Sequence, residues 1–265
     1  MIKRFKSYLA QRAPEPPQRA AIPVGQRVYA VGDIHGRLDL FEALIAKIDA
    51  DDARRGPAET TVILLGDLVD RGPDSRGVIA AARSWASRRA VRMLKGNHEE
   101  MFLKSFSSLE TLRHFLRYGG KETLLSYPID PRAYQDMSLE ALQARLPALI
   151  PAEDVALMEA MEDVIAIGDY LFVHAGIRPG VALDEQRRSD LRWIREPFID
   201  HEGDHGVMVV HGHTITSEVE ELPNRIGIDT GAFMSGRLTA LGLEGTDRWY
   251  LAARDAIARA DDQAA

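Results

Sequence analysis

Short apolar runs recur along the chain, and each one ends in a glycine followed by polar residues. "VYAV" (28–31) leads into "GDIHGR", "TVILL" (61–65) into "GDLVDRGP", and "VRML" (91–94) into "KGNHEE". After the first run, Leu38, Phe41, Ile45 and Ile48 recur at helical spacing, the mark of one apolar helix face. Further helices are expected over about 74–89, near 98–117 and over 138–162, where Leu139, Leu142, Leu146 and Leu149 form a stripe of core or cap packing. The second half is richer in strands: "YLFVHAG" (170–176), "VMVVHGH" (207–213), "RIGIDTG" (225–231) and "RLTALGLEG" (237–245). Strands alternating with helices predict stacked β-α-β units.

This regular pattern covers 27–250 with no internal repeat, and it reads as one domain carrying a helical, cap-like segment at about 101–162. Residues 1–26 read as a basic, Pro-rich tail, with Lys3, Arg4 and Lys6 before "APEPPQ"; a short amphipathic helix with a linker and simple disorder are both open. Residues 251–265 read as a C-terminal tail.

Composition narrows the chemistry. The chain has no cysteine, which excludes disulfides and thiolate metal sites and is compatible with a reducing cytosol. A metal would have to be held by His, Asp, Glu, Asn or backbone oxygen. The net charge of −7 argues against bulk nucleic-acid binding, although a bound cation can still attract an anionic substrate. No stretch approaches the roughly 18 apolar residues of a membrane span. The N-terminus also lacks an apolar signal-peptide core, so a cytoplasmic location is expected.

The polar residues after the strands are the informative ones. They are Asp33 and His35, then Asp67, then Asn97 and His98, then His174, then His211 and His213. In open α/β sheets, ligands bind at the carboxyl ends of strands. One Gly-Asp alone reads as a turn, and a lone histidine as structural. Five successive strand ends bearing oxygen or imidazole donors point to one shared site. Asp33, His35, Asp67, Asn97, His174 and His213 exceed what one tetrahedral ion takes and suit two cations sharing a carboxylate. Two-metal sites clamp both oxygens of an in-line displacement at phosphorus and acidify a bridging water.

The series "GDIHGR", "GDLVDRGP", "GNHE", "VHAG" and "HGHT", in that order over about residues 28–245, resembles the calcineurin-like metallophosphoesterases, and within them the bacterial and phage phosphoprotein-phosphatase branch. The resemblance implies an α+β fold of four-layer, α/β type: a two-sheet β-sandwich flanked by helices, with a dinuclear site at the strand ends. It implies Asp33 and His35 on the first metal, Asp67 bridging, and Asn97, His174 and His213 on the second. Mn2+ is the expected metal, with Fe or Zn as alternatives. It further implies that a metal-bridging hydroxide attacks phosphorus directly, with His98 as general acid and Asp70 as its carboxylate partner. His211 is expected in the second shell or the core. Ile215 stands where relatives outside this branch carry another histidine.

Arg71 suits bidentate capture of phosphate. Arg37 is a second substrate-binding candidate, with a surface salt bridge as the other reading. The later phosphate-binding arginine of the family falls in "LRWIREPF", where spacing after Trp193 favours Arg195 over Arg192. Asp229 reads either as a residue near the site or as a turn former.

Two substrates follow from the resemblance: a phosphorylated protein or small phosphate ester, cleaved by a serine/threonine phosphatase, or a dinucleoside tetraphosphate cleaved symmetrically. The tetraphosphatases typically read "GDLVARGP" and "GNHD"; Asp70 and Glu99 depart from both in the direction of the phosphatases. A metal-free binding module would be expected to lack ligands, and none is missing. The stretch "YGGKETLLSY" (118–127), similar to one in bacterial relatives, suggests a cap beside the site but names no substrate.

Overall fold

The computed structural model describes residues 19–255 and places the apolar runs in two five-stranded sheets. Strand β1 (Gln26–Val31) leads to helix α1 (Leu38–Arg55), β2 (Glu59–Leu64), α2 (Ser75–Ala86) and β3 (Val91–Met93). The helical segment follows as α3 (Asn97–Ser105), α4 (Leu109–Phe115), α5 (Lys121–Ser126), α6 (Pro131–Gln135), α7 (Leu139–Leu149) and α8 (Ala152–Glu159). The second half contains β4 (Val164–Ile167), β5 (Tyr170–Val173), α9 (Arg188–Trp193), β6 (Met208–His211), β7 (Glu220–Glu221), β8 (Arg225–Gly227) and α10 (Ala232–Ser235). It closes with β9 (Arg237–Glu244) and β10 (Asp247–Arg254).

The sheets run β10-β9-β1-β2-β3 and β4-β5-β6-β8-β7. In each, the three strands that lead into polar motifs are parallel neighbours, the pairing that crossover connections produce. Register levels their ends: Val31 lies opposite Leu64, and Leu64 opposite Met93. The residues that follow are thereby delivered to one rim.

Alternation along the strands builds the layers. Val28, Ala30 and Ile63 face Phe172, Val210 and Ile226 of the other sheet. Tyr29, Val31, Val62 and Leu64 face the helices, against Phe41, Leu44, Ile48 and Trp85. The outer face of the second sheet, through Leu171, Val173 and Val209, is covered by Leu191, Ile194 and Phe198. This is the four-layer sandwich expected from the sequence.

Several boundaries differ from expectation. The helical segments expected near 98–117 are α3 and α4, divided where Ser108 accepts from Thr111 N and starts α4, a standard N-cap. Strands β4 and β10 lacked a clear sequence signal. β10 pairs with β9 from Asp247 opposite Glu244 to Arg254 opposite Arg237, so 251–254 are strand where the sequence reading placed a tail. At the other end, Ile22 is buried among the inter-sheet residues and donates to Gly245 O. The packed structure therefore extends before residue 26, and residues 1–18 of that expected tail, including Lys3, Arg4, Lys6 and "APEPPQ", lie outside the described residues. Among the described residues no helix is long and apolar enough to cross a membrane.

Candidate metal centre

The loops after the parallel strands are held in left-handed conformations that most residues avoid. Among the described residues, five other than glycine have positive φ: His35 (46°), Asp67 (49°), Asp70 (75°), Arg71 (68°) and His213 (62°). Each costs of order 1–3 kcal/mol, and all five carry side chains expected at the site. Backbone bonds join the loops that contain them, with Ile34 and His35 N–H donating to Asp67 O and Gly36 N–H to Leu68 O. The β3–α3 turn approaches just as closely: a Cβ on Gly96 would lie 2.1 Å from Asp67 Oδ1, so only glycine fits there.

These loops bring Asp33, His35, Asp67, Asn97, His98, His174 and His213 together in a buried cluster. The Nε2 atoms of His174, His35 and His98 lie 3.5, 3.6 and 3.9 Å from Asp67 Oδ2. His35 Nδ1 donates to Val69 O at 2.8 Å and His174 Nδ1 to Leu65 O at 2.9 Å. Each bond fixes the tautomer and leaves Nε2 with its lone pair toward the centre. His174 Nε2 stands 3.0 Å from Asn97 Oδ1. Asp33 Oδ2 accepts from His213 N, while its Oδ1 is buried without a hydrogen-bond partner. Converging lone pairs and an orphaned carboxylate oxygen are what a cation would satisfy, so the residues present fit divalent metal ions. Two overlapping groups share Asp67: one with His35 and His98, the other with His174 and His213.

Electrostatics separate one histidine from the rest. Burial drives His35, His174 and His213 toward the neutral, metal-binding form, with His213 pushed down to about 3. His98 moves the other way. Burial opposes its charge, but the nearby Asp67 and a hydrogen bond to Asp70 outweigh burial and raise its pKa. The geometry agrees: His98 Nδ1 pairs with Asp70 Oδ2 at 2.6 Å, where His35 and His174 have carbonyls.

The arginines take three different positions. Arg71 reaches into the cluster, with Nη1 2.7 Å from His35 Nε2 and Nη2 2.9 Å from His98 Nε2. Its guanidinium lies over the Phe233 ring, 4.8 Å from the centroid. Arg195 is exposed and leans over His213 O at 3.4 Å, whereas Arg192 is held by Asp163 and Glu100. Arg37 does not reach the cluster. Its guanidinium donates to Asp39, to Asp255 and to Ala232 O, so the salt bridge is the reading the structure supports. Two charged partners within the local fold outcompete an outward orientation.

His211 is buried edge-on against Phe198, with Nδ1 near Gly212 O, in the packing position expected for it. Asp229 accepts from Gly231 N in a turn and its charge is felt by Asp33, so it combines both of its readings.

One residue with a structural role in the site was legible only as a family marker. Buried Glu99 accepts from the backbone N–H of Asp67, Leu68 and Gly96 at 3.0, 2.7 and 3.0 Å. Its available signal was position: a Glu three residues into a helix after a capping glycine commonly reaches back to backbone donors.

A family profile described as calcineurin-like phosphoesterase matches residues 26–233. Serine/threonine-protein phosphatase 1 of Salmonella typhimurium is 32% identical over 231 residues, spanning 84% of this chain and 94% of the relative. An asymmetrical bis(5'-nucleosyl)-tetraphosphatase of Anoxybacillus flavithermus is 27% identical over 232 residues, spanning 80% and 88%. A crystal structure of a provisionally assigned diadenosine tetraphosphatase covers 89% of this chain and 99% of its own at a TM-score of 0.63. At 21% identity that is a likeness of fold.

Proposed function

The chain belongs to the calcineurin-like phosphoesterases, and from that premise we propose that it hydrolyses phosphomonoesters, those of serine and threonine in proteins above all. The observation that carries this reading is the 2.6 Å pair of Asp70 Oδ2 and His98 Nδ1. Hydrolysis of a serine or threonine phosphate expels an alkoxide, a strong base that needs a proton as the P–O bond breaks. A nucleoside polyphosphate leaves as a much weaker base and needs one far less. A carboxylate that orients an imidazole and favours its charged form supplies such a proton.

Asp33, His35 and Asp67 would hold one divalent cation and Asp67, Asn97, His174 and His213 a second, Mn2+ by preference and Fe or Zn otherwise. When bound, such ions supply positive charge for the phosphoryl oxygens and acidify water. The protein's own groups do the rest. Arg71 and the exposed Arg195 grip the phosphoryl oxygens, and Asn97 helps to seat them. His98 gives the proton on Nε2 to the leaving oxygen and keeps Nδ1–H on Asp70. Arg71 must then turn from the two Nε2 atoms it touches toward the phosphate.

Dinucleoside tetraphosphate hydrolysis is the second reading, supported by likeness to a tetraphosphatase across 80% of the chain. The deciding assay compares the Mn2+-loaded protein on a phosphoserine peptide, p-nitrophenyl phosphate and diadenosine tetraphosphate. A higher kcat/KM on the peptide is expected; faster cleavage of the dinucleotide would overturn the assignment.

A further inference from the structure

The helical segment meets the site at one buried polar point. Thr123, in α5, donates its hydroxyl to Asp70 Oδ1 at 2.6 Å and accepts from Asp70 N at 2.8 Å. Ser75 Oγ lies 3.0 Å from Thr123 Oγ1 and also accepts from Asp70 N. Asp70, Ser75 and Thr123 are all fully buried. Four residues upstream, Gly119 O accepts from Arg71 N at 3.0 Å. Gly119 has φ of +106°, and a Cβ there would lie 2.6 Å from that same nitrogen. The turn from 119 to 123 therefore grips both left-handed residues, Arg71 by backbone and Asp70 by backbone and carboxylate.

A buried carboxylate needs donors on both oxygens. His98 supplies one to Oδ2. Without Thr123, Oδ1 loses its side-chain donor, and rotation of the carboxyl group would offer His98 Nδ1 a displaced acceptor. The Nε2 at the other end of that ring would move with it.

We propose that Thr123 is a positioning residue for proton delivery: its hydroxyl fixes the plane of the Asp70 carboxylate and thereby aims His98 Nε2 at the leaving oxygen. The proposal rests on the reading of His98 as general acid. It gives the segment at 118–127 a task in turnover.

The test uses the full chain with Mn2+ and compares Thr123→Val, Thr123→Ser and His98→Asn. Substrates are a phosphoserine peptide, whose leaving group needs a proton, and p-nitrophenyl phosphate, whose leaving group does not. Thr123→Val is expected to lose about tenfold in kcat on the peptide, a part of the 10²–10⁴ that a general acid contributes. It should lose less than about twofold on p-nitrophenyl phosphate, with KM and metal content unchanged, and Thr123→Ser should recover most of the loss. Equal losses on both substrates, or loss of metal, would overturn the proposal. If His98→Asn discriminates between the substrates and Thr123→Val does not, the positioning role alone falls. If His98→Asn does not discriminate either, the acid reading falls with it. Should the valine variant fail to fold, Thr123→Ala carries the same comparison.

Discussion

Asp67 and His98 lie within 3.9 Å of each other, yet removing either charge should have different consequences. Asp67 Oδ2 faces three imidazoles and is the group shared by both candidate cation positions. Asp67→Asn should lower metal content by at least one equivalent and turnover by more than about 10²-fold, since even an outer partner of a metal ligand commonly costs 10–100-fold. Elemental analysis and steady-state rates check this, and full activity with full metal content would exclude a bridging role. His98→Asn should keep both metals and lose about 10²-fold or more in kcat, the usual share of a general acid. Loss of a metal from that variant would instead make His98 a ligand, as its position in one of the two donor groups allows.

At the scale of elements, two buried carboxylates join parts that the sequence pattern leaves separate. Glu99 ties α3 to the Asp67 loop through backbone donors. Glu99→Gln places an amide NH2 against those donors and should cost about 2 kcal/mol, within the range for hydrogen bonds to charged groups; urea unfolding measures it. Asp51 ties α1 to the central strand and to one edge of its sheet, accepting from Tyr29 Oη on β1 and Trp249 Nε1 on β10 at 2.8 Å, and from Arg55 within the helix. Burial alone would raise the pKa of Asp51, but these donors together hold it below the usual carboxylate value. A lowered folded-state pKa means stability that is present above the unfolded value, near 3.9, and lost as pH falls through the folded one. Asp51→Asn should therefore cost about 2 kcal/mol at pH 7. Its deficit relative to the parent should shrink as pH is lowered through 4 toward 3, read from urea midpoints at each pH. A deficit that stays constant with pH would show that the charge is not what matters.

For the whole molecule, the site joins loops from both sheets, so metal binding is linked to global stability. A ligand at 100 times its dissociation constant adds about 2.7 kcal/mol, and for a chain of this size each kcal/mol moves Tm by about 2–4 °C. Chelation should therefore lower Tm by at least about 5 °C, and Asp67→Asn should reduce the metal-dependent shift; a Tm indifferent to chelator would uncouple site and fold. The layers, the parallel strands and the loop-borne donors were legible in the sequence. Alternating and helical spacing encode which face is apolar, and a glycine followed by a polar residue marks each strand's end. β10 was not legible, because its eight residues are mostly half-buried and owe their strand character to β9 rather than to their own pattern. The salt bridge of Arg37 was one of its two sequence readings, with Asp39 two residues away, but the partner Asp255 was hidden, because it lies 218 residues away and a distant partner leaves no local trace. The Thr123–Asp70 contact, 53 residues apart, was hidden for the same reason. The sequence alone determined which chemical groups stand at the strand ends, since those choices are local. Only the tertiary structure decided which of them converge, which arginines stay available, and which buried donors hold the left-handed loops in place, because those outcomes depend on distances between segments far apart in the chain.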